Sequence, residues 1–474
     1  TGAVARPWRW GVRRRGGRAA GPSVAAPGGL AGLSALTYHE IVRELFPRLS
    51  GGIRWGLERT RRLLAAVGDP HLAYRTLHVG GTNGKGSVAA TLASVLQRAG
   101  MVTGLYTSPH LCTFRERIQV DGVPIGEDQV VAAASRLWPH IRREEPSFFE
   151  ATTAIAFLAL ADAGVAIAAV EVGLGGRLDA TNVIRPDVVA LTNVALDHAQ
   201  YLGDTITAVA REKAGIIKPG VPVVTAEPAG EAREIFRRRA AELGAPLTVL
   251  EVDEARDVVV SREGTRFRLS SAVWGELELF TPLIGPHQAV NVALAVRALE
   301  HLVPELRPDV AEVLAGVAAV RWPGRAQILH EDGRTWVLDV AHNPAGVAAL
   351  AATLETLSLP RPVVLVVGIL GDKDWGAMLP PLARPADHSI LTVPPTAPAH
   401  RRWDPHEALR ATPGLVAEVV PDFLAALELA RERSGPGGTV VVTGSFHTVG
   451  DALIALGRAP FGADEPLPDA THAA

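Results

Sequence analysis

From His78 onward, short runs of β-branched and apolar residues alternate with longer Ala/Leu-rich segments whose apolar positions recur at helical spacing. That alternation is the pattern of parallel strands joined by crossover helices, and it predicts an α/β architecture. Strands are expected at residues 77–79, 165–172 and 188–192, and a helix at 88–99 closed by Gly100. Residues 248–283 break the rhythm: short alternating runs, such as 265–269, suggest a small antiparallel addition, and a helix at 287–301 follows. The Pro-Gly pair in Arg321-Trp322-Pro323-Gly324-Arg325 then interrupts regular structure. Beyond it a second block places strands at 335–339, 363–367, 389–393 and 439–443, which reads as a smaller doubly wound sheet.

Composition adds bounds to this picture. A chain of 474 residues exceeds what one hydrophobic core usually supports, so two domains are expected. With 47% hydrophobic and 20% charged residues it has the make-up of a globular enzyme. A net charge of −3 gives no global reason to bind nucleic acid or an anionic membrane, so any anion must be held locally. The single cysteine, Cys112, rules out an intrachain disulfide and a multi-cysteine metal site, fits a reducing cytoplasm, and reads as packing filler. No stretch is apolar for long enough to span a bilayer. Residues 1–35, rich in Gly, Pro, Ala and Arg and lacking a continuous apolar core, read as a disordered extension rather than a secretory signal.

Chemistry concentrates at the ends of expected strands. His78-Val79-Gly80-Gly81-Thr82-Asn83-Gly84-Lys85-Gly86-Ser87 runs from an apolar strand through a glycine-rich turn into a helix, which is how a phosphate cradle is built. Glycines let backbone N–H groups converge on phosphate oxygens, the helix start adds a positive dipole end, and Lys85 adds a full charge. The match to the generic phosphate loop is imperfect, because Val79 sits where its first Gly belongs and Gly86 separates Lys85 from Ser87. Glu171 ends the next strand and opens the Gly-rich run 173–182, and Asp197-His198 follows the strand after that. Ligands bind beyond the carboxyl ends of strands in open α/β sheets, so both segments point toward the loop. A hard oxygen ligand beside one His and nucleotide phosphates suits Mg²⁺. Taken alone, His198 is more often a loop or core histidine, and the charges of Arg211-Glu212-Lys213 are more often a solvated helix face.

Together these residues resemble the folylpolyglutamate synthase/dihydrofolate synthase family, within the wider Mur ligase family of ATP-dependent amide-forming enzymes. The likeness rests on Gly81-Thr82-Asn83-Gly84-Lys85-Gly86-Ser87, Ser108-Pro109-His110-Leu111, the run from Glu171 to Asn182, Arg211-Glu212-Lys213-Ala214-Gly215-Ile216, Asp339-Val340-Ala341-His342-Asn343-Pro344 and Gly444-Ser445-Phe446-His447-Thr448. These occur in the family's order from about residue 50 to 455. The resemblance implies an N-terminal P-loop-type ATPase domain with a mostly parallel sheet and a smaller C-terminal Rossmann-like α/β domain. The expected layout is an ATP- and folate-binding domain at 36–320, a hinge at 321–325, a glutamate-ligase domain at 326–460 and a tail at 461–474.

The resemblance also implies a reaction in which ATP phosphorylates a substrate carboxylate and the amine of L-glutamate attacks the acyl phosphate. By the family's pattern, Thr82, Asn83, Gly84, Lys85, Gly86 and Ser87 hold the ATP phosphates, with Asn291, Arg325 and Asp339 as further nucleotide contacts. Ser108, Glu171, His198 and Lys213 match metal ligands for two Mg²⁺ ions, Lys213 as a carbamate. Lys85, Lys213, His342 and Ser445 are the expected catalytic group. Ser147, Phe148, Phe149 and Glu150, with Leu178, Asp179 and Ala180, match the pterin side, where core packing is the competing role for Phe148 and Phe149. Arg54 and Trp55 depart from the family's residues at another pterin contact. Small-molecule substrates, a cytoplasmic location and a monomer are the remaining expectations. The rivals are a Mur-type ligase acting on a peptidoglycan precursor and a non-catalytic nucleotide-binding protein.

Overall fold

The computed structural model describes residues 36–49 and 55–464. The proposed extension 1–35, Arg54 and residues 465–474 lie outside the described residues. The first sheet is built from β1 (Arg75–Gly80), β2 (Thr103–Tyr106), β3 (Ile118–Val120), β4 (Val123–Pro124), β5 (Ile167–Glu171), β6 (Val188–Leu191), β7 (Val223–Thr225) and β8 (Leu247–Val249). Its order is β4-β3-β2-β5-β1-β6-β7-β8, parallel throughout except for the short edge strands β3 and β4. A three-stranded antiparallel sheet follows, of β9 (Arg256–Ser261), β10 (Gly264–Ser271) and β11 (Gly275–Thr281), where the alternating runs suggested it.

The second sheet comprises β12 (Gln327–Glu331), β13 (Arg334–Asp339), β14 (Val363–Val367), β15 (His388–Leu391), β16 (Glu418–Val419) and β17 (Thr439–Thr443). Its order is β12-β13-β17-β14-β15-β16, with only the edge strand β12 antiparallel. The central strands read as continuous Val, Ile and Ala runs because helices cover both faces. On one face of the first sheet the helix Lys85–Arg98 buries Val88, Leu92, Val95 and Leu96 against helices Pro286–Glu300 and Val310–Ala318. On the other, helices Glu127–Glu144 and Phe148–Asp162 pack around Tyr106, Phe114, Trp138 and Phe157.

Two sequence expectations shift. The helix expected at 88–99 begins at Lys85, because Gly84 adopts a left-handed φ of 86° and turns the chain directly into the helix. Residues 461–464, expected in a tail, pack back onto the first half of the molecule. Asp464 accepts hydrogen bonds from Tyr38 Oη (3.0 Å), Thr113 Oγ1 (2.8 Å) and the Phe114 amide (2.7 Å). A short acidic side chain with three donors around it outweighs the disorder that a Pro-rich composition suggests.

Candidate active site

The register of the first sheet sets the site. Val79 of β1 lies beside Glu171 of β5, and Gly80 beside Leu191 of β6, so the phosphate loop, the Glu171 loop and the 192–198 segment leave the sheet side by side. Gly81 (φ 138°) and Gly84 (φ 86°) hold backbone shapes that L side chains rarely adopt, and a Cβ on either would strike Thr192 or Asn291. Asn193 ties the loop down: its carbonyl accepts the Thr82 amide (2.7 Å) and its side chain accepts the Asn83 amide (3.1 Å). Lys85 begins the helix and donates through Nζ to the Thr82 carbonyl (2.9 Å). The Ser87 hydroxyl is buried with no hydrogen-bond partner among the described residues.

Glu171 is buried, accepts the Ser108 amide at 3.2 Å on one carboxylate oxygen, and has its pKa raised by burial against the opposing pull of Lys85, Arg325 and Arg117. Lys213 is buried rather than on a solvated face. Its Nζ donates to the Gly81 carbonyl at 2.6 Å, and burial with the charge of Lys85 lowers it to about 7. A neutral amine is the form that reacts with CO₂, so the environment suits carbamylation. His198, in a left-handed conformation (φ 52°), falls to about 4 through burial and Lys373 and is therefore a neutral donor of the kind metals bind. No group of three His, Cys, Asp or Glu side chains is arranged to hold a metal ion among the described residues. Glu171, Ser108, the Ser87 hydroxyl and a carbamate on Lys213 would instead offer the hard oxygens that Mg²⁺ prefers.

The carboxyl ends of both sheets meet here. Asn343, at the start of helix Pro344–Thr356, exchanges side-chain hydrogen bonds with Asn83 of the phosphate loop at 3.2 and 3.0 Å. The same Asn343 donates to Asp197 (3.0 Å), and Lys373, beyond the end of β14, pairs with Asp197 at 2.5 Å. His342 lies 3.5 Å from the other Asp197 oxygen. Burial alone raises the Asp197 carboxyl, but His342, His198 and Lys373 outweigh it and hold it far below the ordinary carboxylate range. Asp339 ends β13 and accepts the Ala326 (2.7 Å) and Ala341 (2.8 Å) amides, which shapes the turn carrying Arg325. The Arg325 guanidinium rests 5.2 Å from the Phe446 ring, attracted by Asp339 and Glu171.

The pattern of two domains meeting over such a loop is matched by known proteins. Residues 79–299 match the Mur ligase middle domain and residues 324–446 the Mur ligase glutamate ligase domain. The chain is 34% identical to the dihydrofolate synthase/folylpolyglutamate synthase of Bacillus subtilis, over 85% of this chain and 95% of that one. The chain belongs to the folylpolyglutamate synthase/dihydrofolate synthase family of Mur ligases. It is also 36% identical to a probable bifunctional folylpolyglutamate synthase/dihydropteroate synthase of Haloferax volcanii, over 90% of this chain but only 51% of that longer protein. The Mycobacterium tuberculosis folylpolyglutamate synthase complexed with ADP superposes with a TM-score of 0.81 at 32% identity, covering 89% of this chain and 99% of that one.

Within this ligase several expected substrate contacts have other work. Ser147 and Glu150 form a capping box at the start of helix Phe148–Asp162, and the second Glu150 oxygen pairs with Arg59 at 3.0 Å. Their polar atoms take part in this local network. Asp179 is likewise engaged, accepting from the Leu174 and Thr181 amides, so it shapes the glycine loop. Ser445 caps helix Phe446–Ala455 and bonds Thr448 (2.8 Å). Phe148 sits in the core with Phe46 and Phe114, whereas the Phe149 ring lies against Gly173 beside the Glu171 loop. Leu178 is partly exposed and Ala180 buried. Asn291 abuts Gly84 and is oriented by Gln288 at 3.0 Å.

Three residues of the site escaped the sequence reading. Asn343 stands in a motif that carries the resemblance but had no role assigned to it, and Lys373 was legible only as a residue past a strand end. Arg117 gave no signal at all: it is buried, donates to His110 Nδ1 (2.9 Å), stacks 5.1 Å from Phe148 and forms no ion pair among the described residues.

Proposed function

We propose that this ligase uses ATP to join L-glutamate to a folate-type carboxylate, accepting both dihydropteroate and tetrahydrofolate. The observation that carries the reading is the pair of hydrogen bonds between Asn83 and Asn343. It brings the phosphate loop beside the segment that bears Asp339 and His342, which supports a nucleotide shared by both halves. The names of the relatives and the match to a glutamate ligase domain support the choice of substrates.

A carboxylate is a poor electrophile until its oxygen is made a good leaving group, and phosphoryl transfer chiefly needs positioning and neutralised charge. Lys85 and Arg325 provide that charge from opposite sides of the interface, and Asn291 and Asp339 hold the nucleoside. The glutamate amine then attacks the acyl phosphate, and the tetrahedral adduct collapses to amide and phosphate. Contact between the two sheets keeps water from the acyl phosphate. Ser108, Glu171, His198 and a carbamylated Lys213 would hold two Mg²⁺ ions, whose chemistry is to offset phosphate charge. Phe149 and Leu178 offer an apolar face to a flat pterin, and Arg117 offers a cation to a substrate carboxylate. A cytoplasmic location and a monomeric state complete the reading.

The test is glutamate-dependent ADP release by purified protein with dihydropteroate, tetrahydrofolate or a peptidoglycan precursor. Release with the first two is expected, and activity with the precursor alone would sink the reading. Lys85→Ala should abolish release while leaving the circular dichroism spectrum intact; unchanged turnover would refute its role.

A further inference from the structure

The connection between the two halves does more than join them. Trp322 lies on the first turn of the helix Lys85–Arg98, where a Cβ added to Gly86 would fall 2.8 Å from its Cζ2, 2.9 Å from Nε1 and 3.0 Å from Cε2. Non-bonded carbons separate at about 3.5–4.0 Å, so only hydrogen at position 86 admits the indole there. The ring packs onto the apolar cluster that contains Val88 and Val292. Its buried Nε1 has no acceptor among the described residues, so shape rather than a hydrogen bond seats it.

From that seat the chain reaches Arg325 in three residues. Pro323 fixes one dihedral, the Gly324 carbonyl accepts the Val340 amide (3.0 Å), and the Gly324 amide donates to Gln327 Oε1 (3.0 Å). This short span leaves little freedom between Trp322 and the Arg325 guanidinium. We infer that Trp322, seated on Gly86, is a positioning residue that fixes Arg325 relative to Lys85, so that the two cations bracket the transferring phosphoryl group. The inference rests on the ATP reading of Arg325 given above. It also accounts for the departure of the loop from the generic form: the residue between Lys85 and Ser87 is glycine because the linker lies on it.

The test compares Gly86→Ala, Trp322→Ala, Trp322→Phe, Gly86→Ala/Trp322→Ala and Gly86→Ala/Trp322→Leu in the full chain. The readouts are KM for ATP, kcat of glutamate-dependent ADP release, ADP affinity by calorimetry, and thermal unfolding. Gly86→Ala should lower kcat by about tenfold to a hundredfold, the cost of a misplaced catalytic group, with the better helix propensity of alanine offsetting part of the stability lost in displacing the indole. Trp322→Ala should lower kcat by a similar factor and also lower Tm, because its packing on the apolar cluster is lost. Trp322→Phe should restore most of the activity lost in Trp322→Ala, and Trp322→Leu should recover most of the Gly86→Ala loss.

Trp322→Phe as damaging as Trp322→Ala would overturn the inference, because the N–H would then carry the role. So would strictly additive losses in Gly86→Ala/Trp322→Ala. ADP affinity is read without turnover, so a wild-type chain inactive on every folate would end the functional reading while still reporting the coupling of positions 86 and 322.

Discussion

Asp197 is gripped from the other half of the molecule by Lys373 at 2.5 Å and Asn343 at 3.0 Å, and its side chain and that of Lys373 are only 9% and 7% exposed. At that separation and an effective dielectric near 20, the attraction is about 7 kcal/mol, against a desolvation penalty of several kcal/mol per ion. Removing one partner leaves the other charge buried and alone, which costs about 3–5 kcal/mol. Lys373→Met is therefore expected to weaken the joined arrangement by about two to three and a half powers of ten. The assay is a double-mutant cycle of Asp197→Asn and Lys373→Met on kcat/KM, with small-angle scattering on the ADP-bound protein. The radius of gyration should grow in either single variant, and the coupling energy should be about 2–3 kcal/mol, at the upper end for residues in contact. A coupling below about 1 kcal/mol, the value of a solvent-exposed pair, would refute the reasoning.

Burial and Lys85 hold the Lys213 amine at about 7, so at fixed CO₂ activity should fall as pH drops below that value, and a short carboxylic acid should partly restore Lys213→Ala. Between about pH 7 and 10.5 the unfolded chain binds a proton at Lys213 that the folded chain does not, so this residue makes stability rise with pH there, a slope that Lys213→Met should remove in pH-dependent unfolding. Ser147→Ala should cost about 1 kcal/mol of stability through the lost cap and leave KM for dihydropteroate unchanged; a selective KM increase at constant Tm would return Ser147 to the substrate. Asp464→Ala strands the Thr113 hydroxyl and the Phe114 amide, and should lower stability by about 1–3 kcal/mol in thermal unfolding while leaving ADP affinity intact.

The fold was legible because its strands are buried on both faces and announce themselves as apolar runs bounded by Gly and polar turns. The residues at strand ends, Glu171 and Asp197 among them, could be aimed at the loop from sequence because open α/β sheets place their ligands there. Side-chain partnerships could not. Lys213 sits in a helix whose neighbours are charged, and periodicity alone assigns it to solvent; only the chain's resemblance to a family pointed inward. Ser147 and Glu150 carry the spacing of a capping box, a local signal that the structure bears out at the start of helix Phe148–Asp162. Lys373 and Asn343 act through contacts between segments far apart in the chain, and nothing in their immediate surroundings encodes those contacts.

The return of Asp464 to Tyr38, Thr113 and Phe114 has a mechanical meaning. The two sheets are already joined by the covalent stretch 321–325 and by the Asn83 and Asp197 contacts over the phosphate loop, and this clasp ties the end of the second half to the first at a further point. Removing the contacts over the loop leaves that tie in place, so opening the cleft does not require the two halves to part.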